Sequence, residues 1–406
     1  MGEKNDLSIW GDNWWIENNK AWFVWGLKNI ICCADLVTDK FDLLECIPDE
    51  ISSGFRITPG CIKYKNDIYC MPLYGRSVWV YSTIDCDFDK ICAYNPDKVP
   101  LDIQGFWIYG NKIYAVSGRL KQIIEINPDE KRIDNYYQIC KEGMLTDSIK
   151  VDSLIYSLDG ELGGIYQFDL INKNIVLYRL PEIGKKFETV CFDGDKFWLS
   201  GRCKEVYVWD KRTNGIDIVE GFPKDFGIYD FTKKTDGKAD CIADEYMYST
   251  FSDSVAVGEN VWFIPYCTNK IVYVNKKNYR IQGFDIDEEV ETKESILART
   301  GLGYKYLMDY VKDDRYIGLY SIKNNCILEI DTLELKYEYK QYAYTISDRC
   351  LKDYAKLCRN IFSEQDDAWG QKVYENMIYS DDDVGHGGKL YGVGTDIYKR
   401  IAYDMM

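Results

Sequence analysis

The sequence predicts an all-β fold, a seven-bladed β-propeller of four-stranded blades with a short C-terminal helical extension. Three observations predict it. A strand that ends in an anchor residue recurs seven times, at Asp35, Ser82, Asn127, Asp169, Asp210, Asn275 and Asp331. The anchors are spaced by 47, 45, 42, 41, 65 and 56 residues, and a propeller blade takes roughly 40–50. A second apolar run precedes each anchor, as "AWFVW", "IYCMP", "IYAVS", "LIYSL", "FWLSG", "VWFIP" and "YIGLY".

Each blade is read as four strands, a to d. Strand a is a short run such as "NWWI", "CIKY", "FWIY", "TVCF" or "SVAV". A polar turn follows, among them "ENNK", "KND", "GNK" and "DGDK". Its Asn, Asp and Gly tolerate positive φ, which tight hairpins need. Strand b is the second apolar run, and strand c ends on the anchor. Six anchors are Asp or Asn, whose side chain bonds backbone two residues on and so starts a type I turn. Strand d follows, as in "FDLLE", "IDNYY" and "IVLYRL". One small sheet cannot bury both of its faces, whereas seven around an axis cover one another.

Composition sets outer limits. The chain has 406 residues, 46% of them apolar, and a formal net charge of −16. An acidic chain without long Lys/Arg runs is a poor general binder of nucleic acid. No run of about 18 apolar residues predicts a membrane span. The start, "MGEKNDLSIWGDNWW", does not resemble a secretory signal. The 15 cysteines lie mostly in apolar runs, as small hydrophobes do. They point to reduced thiols and a cytoplasmic setting. There is no Cys-x-x-Cys pair and a single histidine, His386, so neither a metal site nor a cofactor is expected.

The order of turn, strand b ending in Gly, and strand c ending in Asp resembles kelch-type blades. "NKIYAVSGR" and "DKFWLSGR" show it best. The resemblance spans about residues 10–345, without the kelch Gly-Gly after strand b or its regular Trp in strand d. It implies a propeller and no particular function.

The propeller is expected over residues 1–345. A second region, 346–406, is expected to pack on it as a helix pair and tail. There Leu351, Tyr354, Cys358 and Phe362 recur at helical spacing, and "SEQD" fits a loose capping box for a second helix.

The strand order places b–c turns and d–a crossings on one face. The long insertions, about 220–253 and 285–304, are d–a crossings, and long loops on a rigid scaffold often bind ligands. Six of the seven b–c turns hold cations: Lys28, Arg76, Arg119 with Lys121, Arg202 with Lys204, Lys270 and Lys323. Blade four has Asp159 and Glu161 instead. Three turns contain Gly-Arg, and Arg offers a planar fork for carboxylate or phosphate. Arg76, Arg119, Arg202 and Lys270 are therefore candidate ligand contacts, with Tyr74 and Tyr266 as stacking neighbours. Exposed hairpin turns also carry cations merely to stay soluble, so both readings stand. No nucleophile, phosphate loop or calcium-loop spacing emerges, and carboxylates such as Glu161 and Asp225 cannot be ranked. Two functions remain open: a non-catalytic propeller that binds an acidic sugar or a protein partner, and a carbohydrate-active lyase, hydrolase or epimerase using the same face.

Overall fold

The computed structural model describes residues 13–26, 29–48, 60–93, 100–180, 187–201, 205–227, 250–266, 268–289 and 305–347, with Gly11, Arg349 and Cys350. Blade one is β1 (Trp15–Glu17), β2 (Lys20–Trp25), β3 (Ile30–Asp35) and β4 (Lys40–Cys46). Blade two is β5 (Gly60–Tyr64), β6 (Asp67–Met71), β7 (Ser77–Ser82) and β8 (Asp87–Cys92). Blade three is β9 (Ile103–Tyr109), β10 (Lys112–Ser117), β11 (Gln122–Asn127) and β12 (Arg132–Gln138). Blade four is β13 (Leu145–Val151), β14 (Leu154–Asp159), β15 (Gly164–Asp169) and β16 (Ile175–Arg179). Blade five is β17 (Phe187–Phe192), β18 (Phe197–Gly201), β19 (Val206–Asp210) and β20 (Gly215–Val219). Blade six is β21 (Phe251–Val257), β22 (Asn260–Pro265), β23 (Ile271–Asn275) and β24 (Ile281–Phe284). Blade seven is β25 (Tyr306–Lys312), β26 (Tyr316–Ser321), β27 (Cys326–Asp331) and β28 (Lys336–Lys340). Within each blade the four strands pair in chain order. The seven-bladed propeller is thus present, and every anchor is the last residue of its strand c.

The anchors act as their side chains dictate. Asp35 Oδ1 accepts the amides of Val37 and Thr38, both at 3.0 Å. Asn127, Asp169, Asp210, Asn275 and Asp331 each accept one or two amides of their own turns. Ser82 substitutes its hydroxyl, which accepts Asp85 N–H at 3.1 Å. Four residues after each anchor the backbone turns left-handed, at Asp39, Cys86, Lys131, Lys173, Asn214, Tyr279 and Leu335, with φ between 48° and 57°. None of these is glycine, so each hairpin accepts some strain.

Blades lock together through a repeated aromatic in strand b, which reaches the c–d turn of the following blade. Tyr69 donates to Pro128 O at 2.7 Å. Tyr114 and Tyr156 accept from Lys173 at 2.6 Å and Lys211 at 2.8 Å. Trp198 meets Tyr279 edge-on at 5.5 Å. In blade seven the same register position is Gly318, opposite Glu329. A Cβ there would lie 2.3 Å from the Tyr310 ring. Glycine makes room for Tyr310, which packs 5.2 Å from Trp14 and so joins blade seven to blade one.

Segments near both ends of the described residues close the ring. Trp14 N–H donates to Asp309 O at 2.8 Å. The last described strand, β29 (Ala343–Ile346), adds in parallel to the outer edge of β4. Thr345 Oγ1 bonds Asp42 at 2.5 Å, and Arg349 Nε lies 2.8 Å from the buried Glu45 carboxylate. The helices expected over 350–378 and the tail to 406 lie outside the described residues, Cys350 excepted. The eleven described cysteines are all free thiols, eight of them buried.

A candidate ligand-binding face

The b–c turns and d–a crossings do share a face, and they bond to one another. The blade-two turn accepts three amides from the entry to blade three: Ile103 N–H to Pro72 O, Asp102 N–H to Leu73 O and Leu101 N–H to Gly75 O, at 2.9–3.0 Å. In blade six, Asn269 donates to Asp225 O at 2.8 Å and accepts Gly227 N–H at 3.0 Å. Much of the crossings expected at 220–253 and 285–304 lies outside the described residues.

Between blades two and three this lacing gathers several of the expected residues. Tyr74 is 37% exposed and Arg76 is exposed on the turn bonded to residues 101–103. Arg119 stands on the neighbouring b–c turn, its side chain 48% exposed. Its guanidinium Nε is 3.9 Å from Asp102 Oδ2. Gly118, beside it, is needed for room: a Cβ there would sit 2.5 Å from Leu145 O and 2.7 Å from Asp102 Oδ2.

Asp102 is the residue that sequence reasoning missed. It is 5% exposed. Its Oδ1 accepts Gln104 Nε2 at 2.8 Å, while the buried Oδ2 has no hydrogen-bond partner. Burial lifts its carboxyl to about 6, against the opposing pull of Arg119 and Gln104. A carboxyl in that range gains or loses a proton near neutrality. Asp102 occupies a repeated position just before strand a, where Gly118 N–H bonds its carbonyl as Gly160 bonds Met144, Tyr266 bonds Thr250 and Ile322 bonds Lys305. Aligning that position would have isolated the one aspartate among Asp, Met, Thr and Lys.

Elsewhere the face is differently used. Lys270 is 8% exposed and pairs with Asp225 and, at 2.8 Å, with Asp285. Burial works against its charge, but the two carboxylates outweigh it and raise its pKa. Lys270 is therefore committed to two exposed carboxylates of its own chain, and Tyr266 is half-buried. The buried Glu289 Oε1 accepts Ser321 Oγ at 2.5 Å, Asn324 Nδ2 at 2.8 Å and Tyr339 OH at 3.0 Å. Lys323 is exposed on that same turn, and Lys121 donates to Lys141 O at 3.2 Å. In blade four, Asp159 Oδ1 caps its own turn by accepting Glu161 and Leu162 N–H. Lys28, Arg202, Lys204 and His386 lie outside the described residues.

The innermost strands hold further carboxylates. Asp147 Oδ2 accepts Val190 N–H of the next blade at 2.7 Å, and Thr146 donates to Phe187 O at 3.0 Å. These bonds satisfy backbone groups on an inner edge that no strand covers. Burial, then Asp253 from blade six, push the Asp147 carboxyl well up. Among the described residues, no group of three or more His, Cys, Asp or Glu is arranged to hold a metal ion. None of their helices is long and apolar enough to cross a membrane.

No protein-family model matches this chain, and no curated protein matches its sequence. Solved structures do resemble it. Virginiamycin B lyase from Staphylococcus aureus is 12% identical, with a TM-score of 0.55 over 78% of this chain and 94% of that one. A streptogramin B lyase is 14% identical, with a TM-score of 0.53 over 82% and 94%. The computationally designed Ika8 protein is 9% identical, with a TM-score of 0.50 over 85% and 93%. At such identities the likeness is one of fold, and propellers host unrelated functions.

Proposed function

We propose that this chain is a ligand-binding propeller that takes an anionic small molecule, an acidic sugar or sugar phosphate, where blades two and three meet. The observation behind this reading is the half-exposed Arg119 guanidinium beside the buried Asp102, with Arg76 and Tyr74 on the adjoining turn. An Arg fork beside a turn suits carboxylate or phosphate oxygens. Tyr74 adds a ring face for a sugar. Of the expected cations, Lys270 is committed to Asp225 and Asp285, which leaves Arg76 and Arg119 as the described arginines among them. Within propellers we place the blades nearest the kelch type. Eleven free cysteines support a reducing, cytoplasmic setting. The test is a thermal-shift panel of uronic acids and sugar phosphates. A rise in melting temperature with one of them supports the reading; no shift with any of them favours a protein partner.

A second reading has its own observation. A carboxyl lifted to about 6 beside an arginine is suited to general acid–base work. A carbohydrate-active lyase, hydrolase or epimerase would use Asp102 to move the proton and Arg119 to stabilise a developing anion. Two of the similar folds are lyases, but at 12% and 14% identity they lend this no chemistry. Turnover of an acidic oligosaccharide by the parent chain, lost in Asp102→Asn, would favour it over simple binding.

A further inference from the structure

The outer strand of every blade is a potential template for another strand, because half of its backbone groups face away from the sheet. This chain blunts most of those edges. β8 exposes Asp87, Asp89 and Lys90, β12 exposes Arg132 and Asn135, and β28 exposes Lys336 and Glu338. The edge of β4 is covered by β29. β16 differs from all of these. Its Ile175, Val176 and Leu177 are 36%, 39% and 38% exposed, and no charge interrupts it before Arg179. Ile171, in the preceding turn, is 64% exposed. Among the described outer strands, only β16 shows three consecutive exposed aliphatic residues.

The backbone register says which groups are presented. Asp169 N–H bonds Asn174 O at 3.0 Å, and β15 pairs with β16 without a shift from there to Arg179. In an antiparallel ladder, alternate residues bond inward. Asn174, Val176 and Tyr178 therefore face β15, and Ile175 and Leu177 turn their N–H and C=O groups outward. Arg179 lies at the far end, exposed, its carbonyl accepting Asn214 Nδ2 at 3.3 Å.

We propose that the edge of blade four is a docking site for an extended, apolar peptide segment of a partner protein, bound as a fifth strand. The fold already accepts such an addition, since β29 lies on the corresponding edge of blade one. A second copy of this chain fits poorly. A five-residue edge cannot supply the ~1,200–2,000 Å² that stable protein interfaces bury, and each copy carries a net charge of −16. An extended peptide needs only main-chain bonds and small pockets for alternate side chains. Run antiparallel, its first residue would face Arg179, so an acidic residue belongs there. This site is separate from the one proposed between blades two and three.

The test is fluorescence anisotropy with a labelled eight-residue peptide of alternating valine and threonine that opens with aspartate. Two N-methylated forms, each blocking one edge of the peptide, complete the set. The parent protein should bind the plain peptide saturably. One methylated form should bind comparably and the other at least tenfold more weakly. Leu177→Pro should weaken the plain peptide at least tenfold with little change in melting temperature, because the lost N–H points away from β15. Absent binding, equal binding of both methylated forms, or full binding by Leu177→Pro would overturn the proposal. So would a parent dimer in sedimentation that Leu177→Pro abolishes, which would assign the edge to a second copy.

Discussion

Asp102 places the clearest demand on pH. Its carboxyl sits at about 6 in the folded chain, against an ordinary 3.8. Between these values the folded state holds the proton more tightly than the unfolded chain does. Stability contributed by this group is therefore greatest below about pH 4 and falls as pH rises through 6. Two units correspond to a loss of ~3 kcal/mol. Asp102→Asn removes the titration and retains an oxygen for Gln104. Urea unfolding should show the variant more stable than the parent by up to ~3 kcal/mol at pH 8, and the two nearly equal at pH 4. This environment was not legible in the sequence. "LDIQG" shows one aspartate in an apolar run, whereas its backbone is bonded to Leu73 and Gly118, and Gly118 leaves no room for a side chain beside its carboxylate. Arg119 was legible because a Gly-Arg pair recurs in three turns, whereas the commitment of Lys270 was not, since Asp225 lies 45 residues away.

The hairpin is the element the sequence announces best. Its anchor works through bonds to amides two and three residues on, so the signal is local and repeats. The left-handed residue four places after the anchor escapes notice, because Cys86, Lys131, Lys173, Tyr279 and Leu335 are not types that favour it. Leu335 is 44% exposed at φ 52°, so little packing would be lost on replacing it. Left-handed backbone costs a side-chain-bearing residue ~1–2 kcal/mol, and glycine's greater freedom when unfolded offsets ~0.5–1. Leu335→Gly should raise stability by up to ~1 kcal/mol, seen as a higher melting temperature. A lower one would mean that Leu335 packs in a way its exposure conceals.

At the scale of the molecule, the ring is held by an N-terminal blade and a C-terminal strand laid on its edge. The blade count was legible as a period along the chain, because each repeat is one covering unit. That period left the closure open, because β29 stands outside the repeat and pairs in parallel. Glu45 is buried on β4, and Arg349 just beyond β29 reaches it. Arg349→Ala should destabilise the chain by ~1 kcal/mol, limited by the exposure of the guanidinium. A double-mutant cycle with Glu45→Gln should recover that coupling, and additive effects would show that the pair does not fasten the ring. The central claim concerns ligand binding where blades two and three meet. It is tested most directly by calorimetric titration of parent and Arg119→Ala with the acidic ligand that most stabilises the parent. A charge-assisted bond lost at this half-exposed position predicts about tenfold weaker binding. Equal affinity in the two proteins would contradict the account and return Arg119 to the role of an ordinary turn residue.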